Sequence, residues 1–230
     1  MKMAGHGRGT ALDGSAAVPA VRFVGPPRER LYRRSGKRLL DICIVLLMVP
    51  FVLPVMAVLL LLVARDGHSP FYRQDRLGRG GRVFTMWKLR TMVPDAKTHL
   101  DRYLSANGDA RSEWDAYQKL ASDPRITPIG HVLRKSSLDE LPQLWNVLKG
   151  DMSLVGPRPM MPEQRMLYPG HAYYQLLPGV TGLWQVSDRN SSTFAQRAEF
   201  DAHYERDLSL ATDLRVLCAT VGVVLRATGR

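Results

Sequence analysis

An uncharged apolar run over residues 42–64 constrains this chain more than any other feature of its sequence. A straight α-helix rises about 1.5 Å per residue, so a run of this length can cross a hydrocarbon core of roughly 30 Å. The run is apolar on every side, whereas a helix at the surface of a soluble core carries a single apolar stripe. The sequence therefore predicts a membrane helix, and a buried core helix is the alternative.

Two prolines and the flanking charges argue against a simple span. Pro50 and Pro54 lie near the middle of the run, and each removes a helical hydrogen bond at a cost of about 3 kcal/mol. Basic residues flank the run on both sides, and positive residues favour the cytoplasmic face of a membrane. We therefore expect a re-entrant helix-break-helix over residues 36–65 that enters and leaves on one face. A bent single-pass helix is the alternative.

The charge of the chain calls for an anionic partner. A formal net charge of +11 suits nucleic acid, an anionic lipid bilayer or a phosphorylated substrate. The sequence contains no nucleic-acid recognition motif, so we expect no nucleic-acid partner. Residues 1–35 are predicted to be a disordered basic tail, and residues 66–230 to form one cytoplasmic domain. Cys43 and Cys218 lie in apolar surroundings and are expected to be buried and reduced.

The segments after the apolar run mix short strands with helices, which predicts a helix-dominated α+β fold. Strand character is found at residues 71–74 and 82–90, helical character at 95–120, 138–148 and 194–207, and a loop at 151–162. The helix at 138–148 is amphipathic, and its apolar residues, Trp145 among them, share one face. The final segment, residues 208–225, has an apolar face that either lies on a membrane interface or completes the core.

Two adjacent carboxylates, Asp139 and Glu140, lie at the predicted start of that amphipathic helix. One could attack phosphorus as a nucleophile, and the other could hold Mg²⁺, which prefers oxygen ligands. Arg134 beside them could neutralise a diphosphate. The alternative is structural: Ser137 and Glu140 have the spacing of a capping box, and Asp139 could itself be the N-cap.

Several basic residues are candidates for binding phosphate. Arg158 stands between two prolines that restrict the backbone and would hold the guanidinium in place. The alternative is a solvated arginine on a stiff surface loop. The other candidates lie near turns or strands, where each could equally be a solvated charge: Lys88, Arg90 and Arg189.

In these residues the chain resembles the monotopic phosphoglycosyl transferases, also called bacterial sugar transferases. The resemblance covers roughly residues 36–227 and consists of motifs in the family's order. These are Lys37-Arg38-x-x-Asp41, Gln74-x-Arg76-x-Gly78, Lys88-x-Arg90-Thr91-Met92, Arg125-Ile126-Thr127, Gly130-x-x-Leu133-Arg134-Lys135, Ser137-Leu138-Asp139-Glu140-Leu141-Pro142-Gln143, Gly150-Asp151-Met152-Ser153-Leu154-Val155-Gly156-Pro157-Arg158-Pro159, Pro178-Gly179-Val180-Thr181-Gly182, Gln185-Val186 and Arg189-Asn190.

The resemblance implies an enzyme that moves a sugar-1-phosphate from a UDP-sugar to polyprenyl phosphate. It implies that Asp139 is the nucleophile, forming a covalent phosphosugar–aspartyl intermediate and releasing UMP, and that Glu140 holds Mg²⁺. The basic residues expected around the phosphates are Lys88, Arg90, Arg134, Arg158 and Arg189. Pro54 matches the break residue of the family's re-entrant segment. Leu53 stands where the family often has serine, and the residues before Arg189 replace a common Asn-Gly.

The implied setting is the cytoplasmic face of a bacterial inner membrane, where one soluble and one lipid substrate meet. The expected product starts exopolysaccharide, capsule or O-antigen assembly, and the enzyme could act as a homodimer. The alternative function is a non-enzymatic membrane-anchored adaptor that recruits a partner through its basic surface.

Overall fold

The computed structural model of the chain describes residues 31–117, 120–187 and 194–225. The fold is α+β and dominated by helices, as the sequence predicts. The helices are α1 (Lys37–Val63), α2 (Ala96–Ala106), α3 (Gly108–Tyr117), α4 (Pro128–Ser136), α5 (Gln143–Lys149), α6 (Ala172–Gln175), α7 (Leu183–Val186), α8 (Arg197–Arg206) and α9 (Leu210–Leu225). The strands are β1 (Phe71–Leu77), β2 (Val83–Leu89), β3 (Ser153–Val155) and β4 (Gly179–Thr181), and short 3₁₀ helices lie at Ala64–Asp66, Arg79–Gly81, Leu138–Glu140 and Pro162–Leu167.

Helix α1 is long and apolar enough, by length and composition, to cross a membrane. It runs without interruption through Pro50 and Pro54, so the predicted break in the helix is not seen. The fixed φ of proline is compatible with a helix, and the helix continues on the remaining hydrogen bonds although each proline removes its own. A re-entrant path through the membrane therefore stays a prediction.

The two ends of α1 are buried against the rest of the chain, whereas its middle is exposed. Val45 packs into the main core, and Leu59 and Val63 pack into a second cluster beside β2 and α4. Between them, Leu47 and Phe51 are exposed over 72% and 73% of their surface. An exposed apolar surface of this kind in a helix is what lipid would cover.

Strands β1 and β2 form the antiparallel hairpin that the alternating sequence predicts, with Phe71 opposite Leu89 and Leu77 opposite Val83. Strand β1 continues to Leu77, so it is three residues longer than the strand predicted at residues 71–74. The helical character predicted for residues 95–120 divides into α2 and α3. Asn107 separates them, because its Oδ1 accepts a hydrogen bond from the Ala110 amide at 3.0 Å and starts α3.

The segment predicted as a loop at residues 151–162 contains β3, which pairs in parallel with β4. The two strands join at a place where only glycines fit. A Cβ on Gly179 would lie 2.1 Å from the Gly156 nitrogen, and one on Gly156 would lie 2.3 Å from the Leu177 oxygen. The pair forms part of the main core, which α1, α5 and α9 cover.

Two expectations about burial need correction. Trp145 is exposed over 57% of its surface, because Gln143, Asn146 and Val147 form the buried face of α5 and Trp145 lies on another side. Cys43 and Cys218 are exposed on their helices, not buried. Helix α9 completes the core through Val216, yet it leaves an apolar stripe exposed, made of Leu210, Leu214, Val221 and Val224.

Candidate active site

The two carboxylates lie on a short 3₁₀ turn, Leu138–Glu140, between α4 and α5. Ser137 precedes the turn with a left-handed backbone (φ 58°) and makes no capping bond through its side chain. The N-cap of α5 is Pro142, not Asp139. Both capping interpretations of Asp139 and Glu140 are therefore wrong.

Lys88 of β2 joins the two carboxylates. Its Nζ lies 2.6 Å from Oε1 of Glu140 and 3.6 Å from Oδ2 of Asp139. Asp139 is buried, with 8% of its surface exposed, whereas Glu140 is partly open to solvent. The arrangement places one ammonium against two neighbouring carboxylates in a setting with little water.

The electrostatics of the two carboxylates differ. Burial raises the pKa of Asp139, the adjacent Glu140 raises it further, and Lys88 and Arg134 offset this only in part. For Glu140, burial also favours the neutral form, but the charges of Lys88 and Arg158 outweigh it and lower the pKa. Asp139 is thus a desolvated, relatively basic carboxylate, which suits a nucleophile, and Glu140 is held ionised, which suits a cation ligand.

Asn146 of α5 fixes the position of the strand that carries Lys88. Its Oδ1 accepts a hydrogen bond from the Trp87 amide at 3.1 Å, and its Nδ2 donates to the Thr85 carbonyl at 2.8 Å. The side chain is fully buried. The sequence analysis missed this residue, although an asparagine inside an amphipathic helix is the kind of polar group that needs buried partners.

Helix α4 carries Arg134 toward the carboxylates. The Arg134 Nε donates to Oγ1 of Thr91 at 3.0 Å, and Thr127 caps the helix by accepting from the Gly130 amide at 3.0 Å. A Cβ on Gly130 would lie 2.0 Å from the Thr91 oxygen. Only glycine therefore lets α4 pack this close to the backbone that follows β2. The charge of Arg134 acts on Asp139, as its effect on that pKa indicates.

The other predicted phosphate ligands divide into three cases. Arg158 is exposed, lies 5.8 Å from the centre of the Trp184 ring, and its charge reaches Glu140. Arg90 is not brought to the carboxylates: its guanidinium binds both oxygens of Asp66, at 2.6 and 2.7 Å, and the Val63 carbonyl at the end of α1. Arg189 lies outside the described residues.

Asp139 and Glu140 are the oxygen donors that a metal ion would meet at this site. Within the described ranges, no group of three or more His, Cys, Asp and Glu side chains could hold a metal. Mg²⁺ is commonly held by one or two carboxylates together with substrate phosphates, so a complete protein cage is not required. The adjacent Asp139 and Glu140 fit an ion that is shared with a diphosphate substrate.

Comparisons with known proteins identify the family of the chain. A model of the bacterial sugar transferase family matches residues 32–227. The chain is 47% identical to the UDP-galactose-lipid carrier transferase of Erwinia amylovora, over 85% of this chain and 42% of that protein. It is 44% identical to the undecaprenyl-phosphate galactose phosphotransferase of Salmonella typhimurium, over 88% of this chain and 44% of that protein. It is 41% identical to the exopolysaccharide production protein ExoY of Sinorhizobium fredii, over 100% of this chain and 99% of that protein.

The chain thus spans less than half the length of the first two relatives and nearly all of the third. The family match covers most of the described residues, including every element around Asp139 and Glu140. On this extent of similarity, the chain belongs to the bacterial sugar transferase family.

Proposed function

We propose that this chain is a phosphoglycosyl transferase, which moves a sugar-1-phosphate from a UDP-sugar to undecaprenyl phosphate in a bacterial inner membrane. The observation that carries the proposal is the pair Asp139–Glu140, bridged by Lys88 and faced by the charges of Arg134 and Arg158. The names of the relatives support the substrates, since two refer to galactose transfer involving a lipid carrier or undecaprenyl phosphate. The third is named for exopolysaccharide production.

In the first step, a carboxylate oxygen of Asp139 attacks the phosphorus that bears the sugar. A bond forms between this oxygen and phosphorus, and the bond from phosphorus to the bridging oxygen breaks, so UMP leaves with that oxygen. Lys88 and Arg134 orient the phosphoryl oxygens and offset the charge that gathers on them. The raised pKa of Asp139 makes its carboxylate a better nucleophile once it is ionised.

In the second step, a phosphate oxygen of undecaprenyl phosphate attacks the same phosphorus. The bond to the Asp139 oxygen breaks, which restores the carboxylate and yields undecaprenyl diphosphate sugar. No net proton is taken up or released by the protein across the two steps. Splitting the transfer through a covalent species predicts ping-pong kinetics.

Glu140 is the residue that would hold Mg²⁺, with the substrate phosphates completing its ligands. When bound, the ion supplies positive charge that offsets the diphosphate oxygens. In the absence of substrate, Lys88 lies against the same carboxylate, 2.6 Å from Oε1. The ammonium would move toward the phosphates when they arrive, because these carry the larger negative charge.

The anchoring of α1 supports a membrane segment that enters and leaves on one face. At its start, Arg38 donates to the Val147 and Leu148 carbonyls, and Asp41 accepts from the Leu154 amide at 3.0 Å. At its end, Arg90 donates to the Val63 carbonyl. A straight helix from 41 to 63 would be about 33 Å long, enough to put its ends on opposite faces. One domain holds both ends, which argues against a single span across the bilayer, and the re-entrant path needs in addition a bend at Pro50 and Pro54.

The experiment that tests the function is a single turnover without the lipid substrate. Purified protein is incubated with Mg²⁺ and each UDP-sugar in turn, and the intact mass of the wild type is compared with that of Asp139→Asn. We expect a sugar-phosphate adduct on the wild type only, with release of UMP. The donor that gives the adduct identifies the sugar.

Other outcomes of this experiment would contradict one part of the proposal or all of it. Normal lipid-linked product without any adduct would keep the transferase but exclude the aspartyl intermediate. If neither adduct nor product forms with any donor, and Asp139→Asn leaves the cellular function intact, the chain acts as a membrane-anchored adaptor.

A further inference from the structure

Three guanidinium groups act on one another through their charges, and one of them, Arg158, also acts on Glu140. Arg76 comes from β1, Arg158 from the loop after β3, and Arg197 from the first residue of α8. The Arg197 guanidinium lies 4.1 Å from the centre of the Trp184 ring, and that of Arg158 lies 5.8 Å from it. The indole thus holds two of the three cations, through contacts that orient a guanidinium without neutralising it.

Among the residues that the structure describes, the three arginines form no ion pair with a carboxylate, although Arg76 and Arg197 are partly buried. The Nε atoms of Arg76 and Arg197 are buried without a hydrogen-bond partner in the described parts, as are both amide atoms of the Gln185 side chain. Arg76 uses Nη2 to bond Oε1 of Gln74 at 2.6 Å. A buried donor without a partner calls for an explanation, and an anion is one that suits the positive charge of this cluster.

The charges of the cluster repel one another. Burial lowers the pKa of Arg197 to about 10, and the charges of Arg158 and Arg76 add to this. Burial and Arg158 likewise lower the pKa of Arg76. Asp201 acts on Arg197 from a distance, but burial raises its own pKa to about 7, so it carries only part of a charge near neutral pH. An anion among the three arginines would relieve this repulsion.

The cluster continues the surface that begins at Asp139. Lys88 pairs with Tyr72 across the hairpin, and Arg76 pairs with Phe84, so Lys88 and Arg76 point to the same face. Four residues of strand separate them, which is about 13 Å. The charge of Arg158 acts on Glu140 at one end and on Arg76 at the other, so it links the two.

We propose that Arg76, Arg158 and Arg197 form a second phosphate-binding site opposite Asp139. This site holds the phosphate of UMP in the first step of transfer and the phosphate of the lipid in the second. The inference rests on the proposed function. In an in-line displacement, the group that leaves and the group that attacks lie on opposite sides of phosphorus. UMP therefore leaves from the side opposite Asp139, and the lipid phosphate later attacks from that same side. The same site therefore binds the nucleotide phosphate first and the lipid phosphate second.

The cations act on the leaving group as well as on binding. When the bridging bond breaks, the phosphate of UMP gains negative charge at the oxygen that departs. Guanidiniums held in advance at that position stabilise the charge as it develops. Their planar donors match phosphate oxygens in pairs, which lysine does not reproduce.

The test measures binding without chemistry. The Asp139→Asn protein in detergent is titrated by calorimetry with UMP and, separately, with undecaprenyl phosphate, and each is repeated after adding Arg197→Gln. We expect both dissociation constants to rise by about tenfold or more, because each loses a charge-assisted hydrogen bond. Arg197→Lys is expected to restore only part of the affinity. Arg76→Gln, on a different element, should weaken both ligands as well.

Arg165→Gln is the matched control, since Arg165 is an exposed arginine stacked 5.9 Å from the Tyr174 ring, outside the cluster. It should leave both affinities within about twofold, the variation expected of a distant surface charge. Unchanged binding of both ligands in Arg197→Gln and Arg76→Gln would overturn the proposal while leaving the transferase intact. Weaker binding of only one of the two ligands would overturn the proposal that they share a site.

A protein that lacks transferase activity but still binds UMP through Arg197 would separate the two proposals. In that outcome the proposed phosphate-binding site is supported and the proposed function fails. Thermal unfolding of each variant accompanies the titrations. A lower melting temperature with both affinities unchanged would assign Arg197 a purely structural role and overturn the proposal.

Discussion

Asn146 is the side chain that joins α5 to the strand carrying Lys88, and Asn146→Leu tests that role. Leucine has a similar volume but neither donor nor acceptor. The change leaves two backbone groups without partners, the Trp87 amide and the Thr85 carbonyl, which Asn146 binds at 3.1 and 2.8 Å. Lys88 follows Trp87 directly, so the ammonium should lose its fixed position against Asp139.

The structure gives the magnitude. Each unsatisfied buried group costs about 1–3 kcal/mol, so the pair should cost about 2–6 kcal/mol of folding free energy. In a chain of this size, 1 kcal/mol corresponds to about 2–4 °C in melting temperature. The variant should therefore melt at least about 4 °C below the wild type. Its rate of UMP release should fall as well, because Lys88 no longer offsets charge at the attacked phosphate.

The assay is thermal unfolding in one detergent, with UMP release measured on the same samples. Trp145→Leu is the control, because it changes the neighbouring residue of α5, which is 57% exposed. An exposed substitution away from special contacts changes stability by about 0.5 kcal/mol or less, so the control should stay within about 2 °C. If Asn146→Leu melts within the range of the control, the two hydrogen bonds do not hold β2 in place.

Three further predictions follow from the same geometry. Lys88→Gln should move the acid limb of UMP release to higher pH, because it removes the cation that opposes the effect of burial on the pKa of Asp139. Asp201→Asn should flatten the stability profile between about pH 4 and 7 in denaturant titrations. Burial raises the pKa of Asp201 from 3.8 to about 7, so the wild type loses stability as pH rises through that window. Gly130→Ala should lower the melting temperature and UMP release together, since its Cβ would meet the Thr91 oxygen at 2.0 Å.

Each of these has a result that contradicts it. An unchanged acid limb in Lys88→Gln would mean that Lys88 does not influence the ionisation of Asp139. A wild-type stability that is constant from pH 4 to 7 would place the pKa of Asp201 near its ordinary value. A Gly130→Ala protein that melts like the wild type would show that α4 can move away from Thr91 at no cost.

Local patterns in the sequence predicted those features whose cause is local. The apolar run at residues 42–64 is long enough to identify α1, and the alternation after residue 70 identifies the hairpin. Helix α8 was also expected from composition. By contrast, β3 and β4 have three residues each, which is too short for a period to be read, and their pairing depends on close approach at Gly156 and Gly179.

The candidate site shows the same division. The acid pair and its basic neighbours could be identified from the sequence because they stand together in one motif. Their roles could not, since a capping box has the same spacing, and only the backbone at Ser137 excludes it. Lys88 and Arg90 are two residues apart and chemically similar. In the tertiary structure Lys88 binds Glu140, 52 residues away, whereas Arg90 binds Asp66, 24 residues away.

What the sequence determined by itself is the existence of a long apolar helix, the hairpin, and an acid pair set among basic residues. Each of these depends on residues that are neighbours along the chain. What only the tertiary structure decided is which cations face the carboxylates and which are used elsewhere. Arg76, Arg158 and Arg197 come from three separate elements: Arg158 and Arg197 meet at the Trp184 ring, and the charge of Arg76 interacts with both. Spacing along a chain does not report such convergence, since it depends on how distant elements bury their surfaces.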